Sequence, residues 1–188
     1  MVADGHPFGT HQKALERLSD PHRALLDRGI DHHLVIAGGG PERPMLEAEV
    51  ARLGGGASTF FAGHADEPAT LYQRATVFGM CSRLEGFGMT LLEAMTAGLS
   101  VMAMDCEFGP REVPDDGRAG LLAADGDEGA FTDALERLLT DENARRHYAA
   151  AGQARAAEYP PQRVTPQWEA LLSEIAGRIR RNSARTPS

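Results

Sequence analysis

The sequence contains few cysteines, few aromatic residues and fewer basic than acidic side chains. Its 188 residues include two cysteines, Cys81 and Cys106, and neither forms a CxxC pair, so cysteine alone cannot supply a zinc site. A disulfide between them stays open, although two free thiols are the favoured interpretation. The 19 Lys and Arg residues against 27 Asp and Glu give a net charge of −8, which argues against a protein held mainly by nucleic-acid phosphates.

Long apolar runs are also missing. The longest candidate, residues 91–104, is interrupted by Glu93 and Thr96 and is too short to span a bilayer. The first thirteen residues show no basic segment followed by an apolar one, which predicts no secretory signal. We therefore expect a cytoplasmic protein with at most peripheral membrane association.

Short apolar segments alternate with helical patterns along most of the chain. The predicted strands are residues 2–3, 33–37, 58–62, 76–80, 99–104 and 120–123. The predicted helices are residues 13–28, 45–53, 66–75, 89–97, 128–139, 141–158 and 164–181. Because the strands are continuously apolar and alternate with helices, they predict an α/β fold, a Rossmann-like parallel sheet with helices on both faces, followed by C-terminal helices. We expect one domain over residues 1–158, then a helix and a frayed basic tail over residues 159–188.

Three glycine-rich loops follow predicted strands, at residues 38–41, 85–88 and 108–111. In open α/β sheets, ligands bind beyond the carboxyl ends of the strands, where glycine lets the backbone approach them closely. Any one of these loops could equally be a tight turn. The sequence has no GxxxxGK[ST] motif, and no GxGxxG opens the first helix, so neither a P-loop nor a nicotinamide dinucleotide site is predicted.

The segment SRLEGFGMTLLEAMTAGLSV, residues 82–101, is more specific. Glu85 lies in its loop, and Glu93 follows eight residues later in a helix that starts near Gly88. The free amides at such a helix start favour a phosphate, and a carboxylate one turn further on can accept hydrogen bonds from a ribose diol. The alternative is a solvated charge at Glu85 and a surface helix residue at Glu93. The apolar neighbours of Glu93 argue against the second of these.

EGFGMTLLEAMTAGLSV resembles the E-x(7)-E signature of the retaining, GT-B-fold glycosyltransferases of group 1 (family 4). The resemblance covers residues 2–173, because VADGHPFGTHQKALERL, LVIAGGGPERPML, TFFAGHADEPATLYQRATVFGMCSR, DCEFGPREVPDDGRAGLL and PQWEALL are similar to further family segments in the same order. It implies the donor-binding half of a GT-B fold. It also implies a retaining hexosyl- or glycosyltransferase that uses a nucleotide-diphospho-sugar, with a UDP-sugar as the first choice.

The resemblance also implies roles for individual residues. It makes Lys13 and Glu85 catalytic, with Lys13 on the donor diphosphate and Glu85 at the transferred sugar. The donor-binding residues that it implies are Gly38, Gly39, Gly86, Phe87, Gly88, Met89, Thr90 and Glu93. Within that set, Glu93 holds the ribose, and Met89 and Thr90 offer amides to the phosphates. Such enzymes usually need no metal, so we expect neither a metal nor another cofactor.

The sequence departs from the family pattern at three places. His6 stands where the family has an arginine, and Ala14 stands where it has a glycine. Arg111 is a candidate replacement cation, with an exposed salt bridge as the alternative. The third departure is the N-terminal acceptor domain, which the sequence lacks.

That missing domain leaves other functions open. One is a non-catalytic nucleotide-sugar binding fragment, or one half of a split enzyme whose partner is a separate N-terminal GT-B domain. Another is a GT-B-type nucleotide-sugar epimerase. The acceptor of a transferase would be a sugar, a lipid-linked glycan or a small molecule, and we expect no nucleic acid as a partner. The adjacent pair His32-His33 is expected on opposite faces of an extended segment, in a surface and edge role.

Overall fold

The computed structural model describes residues 2–5, 13–64 and 67–183, which fall into two compact units, Met1–Ala156 and Ala157–Ser188. The first unit is built on a six-stranded sheet in the order β3-β2-β1-β4-β5-β6. The strands are β1 (Val2–Gly5), β2 (Leu34–Gly38), β3 (Thr59–Gly63), β4 (Val77–Met80), β5 (Ser100–Asp105) and β6 (Leu121–Ala124). All neighbouring strands pair in parallel. The predicted Rossmann-like α/β fold is therefore confirmed.

The helices of this unit lie between its strands or follow the last strand. They are a 3-10 turn (Leu15–Leu18), α1 (Ser19–Asp27), α2 (Arg43–Arg52), α3 (Pro68–Arg74), α4 (Met89–Thr96), α5 (Glu128–Thr140) and α6 (Glu142–Ala156). The single helix predicted over residues 13–28 is wrong in its first turn. There Ala14 has a left-handed backbone conformation with φ 51° and ψ 41°, which separates Lys13 from the 3-10 turn. His6, and Asp66 at the predicted start of α3, lie outside the described residues.

Small side chains allow close packing around the two central strands. All four residues of β4 and the first five of β5 are buried, as expected for strands covered on both faces. Gly152 of α6 lies against α4, because a Cβ atom there would come within 3.3 Å of both the Ala119 carbonyl oxygen and the Met95 side chain. A sequence with 6% aromatic residues fills its core in this way, with close backbone approach in place of large rings.

The strand order changes direction between β1 and β4. The chain passes from β1 to β2 and β3 on one side, and from β4 to β5 and β6 on the other. Ligands of doubly wound sheets bind at such a switch point, beyond the carboxyl ends of the strands. Lys13 follows β1 and Glu85 follows β4, so the fold brings these two residues from distant parts of the sequence to the same edge.

The second unit contains one helix, α7 (Pro161–Ser183). It starts at Pro161, three residues before the helix predicted over residues 164–181, and proline is favoured at a first helical position because no amide hydrogen bond is needed there. Pro166 lies inside this helix. No helix in the described part of the chain is long and apolar enough to cross a membrane.

Candidate functional site

Glu85 lies in the loop after β4 and is buried, with 7% of its surface exposed. Its backbone amide donates to the carbonyl oxygen of Phe108 at 3.0 Å, which ties the loop after β4 to the loop after β5. The alternative of a solvated charge at Glu85 is therefore wrong. A buried carboxylate is costly without partners, so the groups around it determine what it can do.

Two donors meet one oxygen of this carboxylate. Nζ of Lys13 lies 2.7 Å from Oε1 of Glu85, and the hydroxyl of Ser82 donates to the same atom at 2.6 Å. The Lys13 side chain is 12% exposed, and Ser82 is 2% exposed. The structure thus joins the two residues implied as catalytic. It adds Ser82, which sequence reasoning missed, although its place three residues before Glu85 in the same loop was a usable signal.

Gly109 makes room for Glu85. Its φ of 126° disfavours any other residue, and a Cβ atom there would lie 2.6 Å from Cβ of Glu85. From sequence, the loop over residues 108–111 was a candidate ligand loop. The structure shows that Gly109, which has no side chain, leaves the space that the backbone and side chain of Glu85 occupy.

Helix α4 starts beside this carboxylate. Gly88 caps it in the left-handed conformation, and the first amide bonded within the turn is that of Leu91, which donates to the Gly88 carbonyl at 3.0 Å. The amides of Met89 and Thr90 precede that bond and so face the open end of the helix. Thr90 is buried, and its hydroxyl oxygen has no hydrogen-bond partner among the described residues. Thr90 lies with Lys13 and Ser82 around a narrow cleft at the end of β4, which has no room for a water molecule.

Glu93 lies one turn further along α4. It is exposed, so the argument from its apolar neighbours against a surface position was wrong, because those neighbours point inward while Glu93 points out. The hydroxyl of Tyr72, a buried residue of α3, lies 3.4 Å from Oε2 of Glu93. This distance is long for a hydrogen bond between oxygens, so the contact is weak. No described contact joins Glu93 to the Lys13–Glu85 pair.

The remaining predicted residues occupy the same sheet edge. Gly38 ends β2 and pairs with Gly5 of β1, and Gly39 follows with open space where a Cβ atom would be. In the loop after β4, Gly86 is exposed and Phe87 is half-buried. The structure places these residues at the carboxyl ends of the strands.

Arg111 is paired with acidic residues. Its guanidinium forms a salt bridge with Asp105 and lies 3.5 Å from the Asp116 carboxylate. Arg111 therefore forms the exposed salt bridge that was the alternative to a role as replacement cation. Across residues 2–5, 13–64 and 67–183, no group of three His, Cys, Asp or Glu side chains could hold a metal ion.

Both cysteines are free and buried. Burial raises the pKa of the Cys81 thiol to about 12, and the thiol donates to the Ala14 carbonyl at 3.1 Å. Burial also raises the pKa of Cys106, with a further contribution from the nearby Glu85 charge. Neither thiol is a nucleophile at neutral pH, because a raised pKa keeps it protonated.

A cavity of about 640 Å³ lies elsewhere, at the amino ends of β2 and β4, lined among others by His32, Phe60 and Arg74. It is larger than the cleft beside Lys13. We nevertheless place the functional site at the carboxyl edge, where a buried ion pair, a helix start and a buried hydroxyl without a partner converge.

The family model for glycosyl transferases group 1 matches residues 9–155. Among curated relatives, an amylovoran biosynthesis glycosyltransferase of Erwinia amylovora is 29% identical over 87% of this chain and 46% of its own length. D-inositol 3-phosphate glycosyltransferase of Corynebacterium urealyticum is 33% identical over 86% of this chain and 40% of its own length. The chain thus spans less than half the length of these relatives.

Solved structures share the fold. A sucrose-phosphate synthase from Thermosynechococcus elongatus matches with a TM-score of 0.81 at 24% identity, over 94% of this chain and 45% of its own. Anabaena HepE in complex with UDP and glucose matches with a TM-score of 0.81 at 20% identity, over 92% of this chain and 48% of its own. These matches identify the first unit as part of a GT-B fold.

Proposed function

This chain belongs to the family of group 1 glycosyl transferases, and from that premise we propose that it binds a nucleotide-diphospho-sugar as the donor half of a retaining, family 4 enzyme. UDP is the proposed nucleotide, which is supported by the UDP held in the HepE neighbour. The acceptor, a sugar, a lipid-linked glycan or a small molecule, would be oriented by groups outside this chain. The fraction of the relatives that the chain spans favours the donor half over a whole enzyme.

The observation that carries this proposal is the Thr90 hydroxyl at the start of α4, which has no hydrogen-bond partner within the described residues. A buried hydroxyl without a hydrogen bond costs free energy, and a ligand that bonds to it would recover that cost. The amides of Met89 and Thr90, the positive end of the helix dipole and the Lys13 ammonium all suit an anion. A diphosphate supplies enough acceptor oxygens for these donors.

Glu93 suits the ribose in this proposal. Its carboxylate is exposed on α4, one turn beyond the phosphate-binding amides, and it can accept two hydrogen bonds from a vicinal diol. Glu85 would meet the transferred sugar beside the diphosphate. The proposed transfer needs no metal, because Lys13 and the α4 start would stabilise the leaving diphosphate as it departs on the face where the acceptor approaches.

Calorimetric titration with UDP and GDP tests this function. We expect the 188-residue chain to bind UDP, and we expect Lys13→Ala and Glu93→Ala each to weaken binding at least tenfold, about 1.4 kcal/mol. Glu142→Ala is the matched control, because Glu142 is exposed at the start of α6 and forms a salt bridge with Arg146, away from the proposed site. A folded chain that binds neither nucleotide would contradict the proposal, as would equal losses in all three variants.

A further inference from the structure

The two oxygens of the Glu85 carboxylate differ in their hydrogen-bond partners. Lys13 and Ser82 both donate to Oε1, at 2.7 and 2.6 Å. No described residue donates to Oε2, so the lone pairs of that oxygen remain available to a ligand hydroxyl. A carboxylate that offers one oxygen in a fixed position can select a hydroxyl by its place on a sugar ring.

The two donors to Glu85 differ in burial and in their distance from it along the chain. Ser82 lies in the same loop, three residues before Glu85, and both residues are more than nine-tenths buried. Lys13 comes from the other half of the sheet on a long side chain, and it lines the same narrow cleft as Thr90. An anion bound at the start of α4 would therefore lie near the Lys13 side chain.

An arriving diphosphate competes with Glu85 for Lys13. It carries more negative charge than one carboxylate, and the helix start draws it to the position where the ammonium can reach it. When Lys13 turns toward the diphosphate, Glu85 loses one of its two donors. Within the described chain, Ser82 is the other side chain that donates to it.

We propose that Ser82 is a positioning residue for donor recognition, which keeps Oε1 of Glu85 in place when the diphosphate takes Lys13. Oε2 then stays directed at the sugar. This inference rests on the proposed function and adds to it a division of labour, in which Lys13 serves the diphosphate and the Ser82–Glu85 pair serves the sugar. Ser82 therefore affects the affinity for the sugar and leaves the affinity for the nucleotide unchanged.

The test compares binding of UDP with binding of UDP-glucose, UDP-galactose and UDP-N-acetylglucosamine by calorimetry. For the unmodified chain, we expect at least one UDP-sugar to bind more tightly than UDP, and the ratio of the two affinities measures the contribution of the sugar. We expect Ser82→Ala to lower this ratio about tenfold while the UDP affinity changes less than twofold. Ser100→Ala is the control, because Ser100 is equally buried in β5 and, among the described residues, its hydroxyl makes one long contact of 3.5 Å to the Thr76 carbonyl.

A second pair of variants removes the effect of side-chain volume. Ser82→Thr and Ser82→Val have the same shape, but only threonine keeps the hydroxyl, so we expect the ratio to survive in Ser82→Thr and fall in Ser82→Val. This pair also serves if Ser82→Ala does not fold. A purely structural role would instead lower both affinities together.

The outcomes separate the two proposals. An unmodified chain that folds but does not bind UDP contradicts the proposed function itself. If UDP binds and the sugar ratio of Ser82→Ala equals that of Ser100→Ala, the role of Ser82 is refuted and the donor site stands. A chain that binds UDP but none of the UDP-sugars more tightly also refutes the role of Ser82.

Discussion

Nδ1 of His22 lies 2.8 Å from Nε2 of His32, and both rings are buried. The neighbours of this pair constrain its protons. Nδ1 of His32 lies 2.9 Å from the Ile30 carbonyl, which can only accept, so that nitrogen carries the proton and Nε2 of a neutral His32 accepts from His22. The Ser58 hydroxyl lies 2.8 Å from Nε2 of His22 and 3.2 Å from the Gly55 carbonyl, and it can donate its single proton to either. Donation to His22 matches the neutral form of both rings, which burial favours.

Acid should therefore destabilise the fold through His22. Burial, with the neighbouring His32, lowers the pKa of His22 from 6.5 to about 4. The unfolded chain binds this proton more readily, so the contribution of the neutral ring is fully present above pH 6.5 and is lost as pH falls toward 4. The loss is on the order of 3 kcal/mol. Denaturant unfolding at several pH values measures it.

His22→Leu should flatten this acid slope, since it removes the group that titrates. His147→Leu should keep the slope, because His147 is exposed on α6. Equal slopes in the unmodified chain and in His22→Leu would show that other groups cause the acid sensitivity.

Thr90→Val should separate binding from stability. The hydroxyl has no partner among the residues that the structure describes, so replacing it with a methyl of similar size should leave the free energy of unfolding unchanged or raise it by up to about 1 kcal/mol. UDP affinity should fall about tenfold, as expected for a lost hydrogen bond to a charged group. Thr132→Val is the control. Thr132 is equally buried, donates to the Glu128 carbonyl and lies in α5, so its replacement should lower stability and spare UDP binding. The reverse pattern would exclude the proposed role of Thr90.

Gly109→Ala should disturb both the fold and the position of Glu85. The new Cβ atom would overlap Cβ of Glu85 at 2.6 Å in a backbone conformation with φ 126°, which should cost at least about 2 kcal/mol of unfolding free energy. Gly126→Ala has a similar backbone problem, with φ 82°, but nothing within 4 Å, so it should cost about 1 kcal/mol. Thermal or denaturant unfolding compares the two. Equal costs would mean that the Glu85 contact is relieved by a loop shift.

Ala14→Gly should be much less costly than an ordinary buried Ala-to-Gly change. Ala14 holds a left-handed conformation that costs a non-glycine residue about 1–2 kcal/mol, and glycine removes that strain. Ala94 is equally buried in the middle of α4, where Ala-to-Gly costs about 1 kcal/mol in helix propensity. The loss of unfolding free energy should therefore be smaller for Ala14→Gly by about 1–2 kcal/mol. An equal loss in both variants would argue against strain at Ala14.

The sequence predicted the sheet well because its signals are local. All six strands were found to within about two residues, since apolar runs bounded by turn residues mark buried parallel strands. The first helix was predicted less well. The apolar spacing continues through residues 13–28, while the left-handed conformation of Ala14 interrupts the helix at a residue that carries no turn signal.

The site was predicted in its parts but not in its connections. Motif spacing gave Glu85, Glu93 and the start of α4, and the family resemblance gave Lys13. Ser82 was missed because serine is common in loops, and only the folded loop shows that its hydroxyl reaches Oε1 of Glu85. His32 was expected at the surface, yet it is buried against His22. The sequence did not predict this contact, because a partner ten residues away leaves no local pattern. His33 is exposed, so the expected opposite faces are confirmed.

The site lies at the switch point between β1 and β4, where the two halves of the sheet meet. Lys13 belongs to the half that runs from β1 to β3, and Glu85 belongs to the half that runs from β4 to β6, 72 positions later in the sequence. A sugar donor that binds both Lys13 and Glu85 would therefore act as a noncovalent crosslink between the two halves. At a hundredfold excess over its Kd it would raise the free energy of unfolding by about 2.7 kcal/mol. It would do so by holding the two halves together, so the amides of β1 and β4 should exchange with solvent more slowly once it binds.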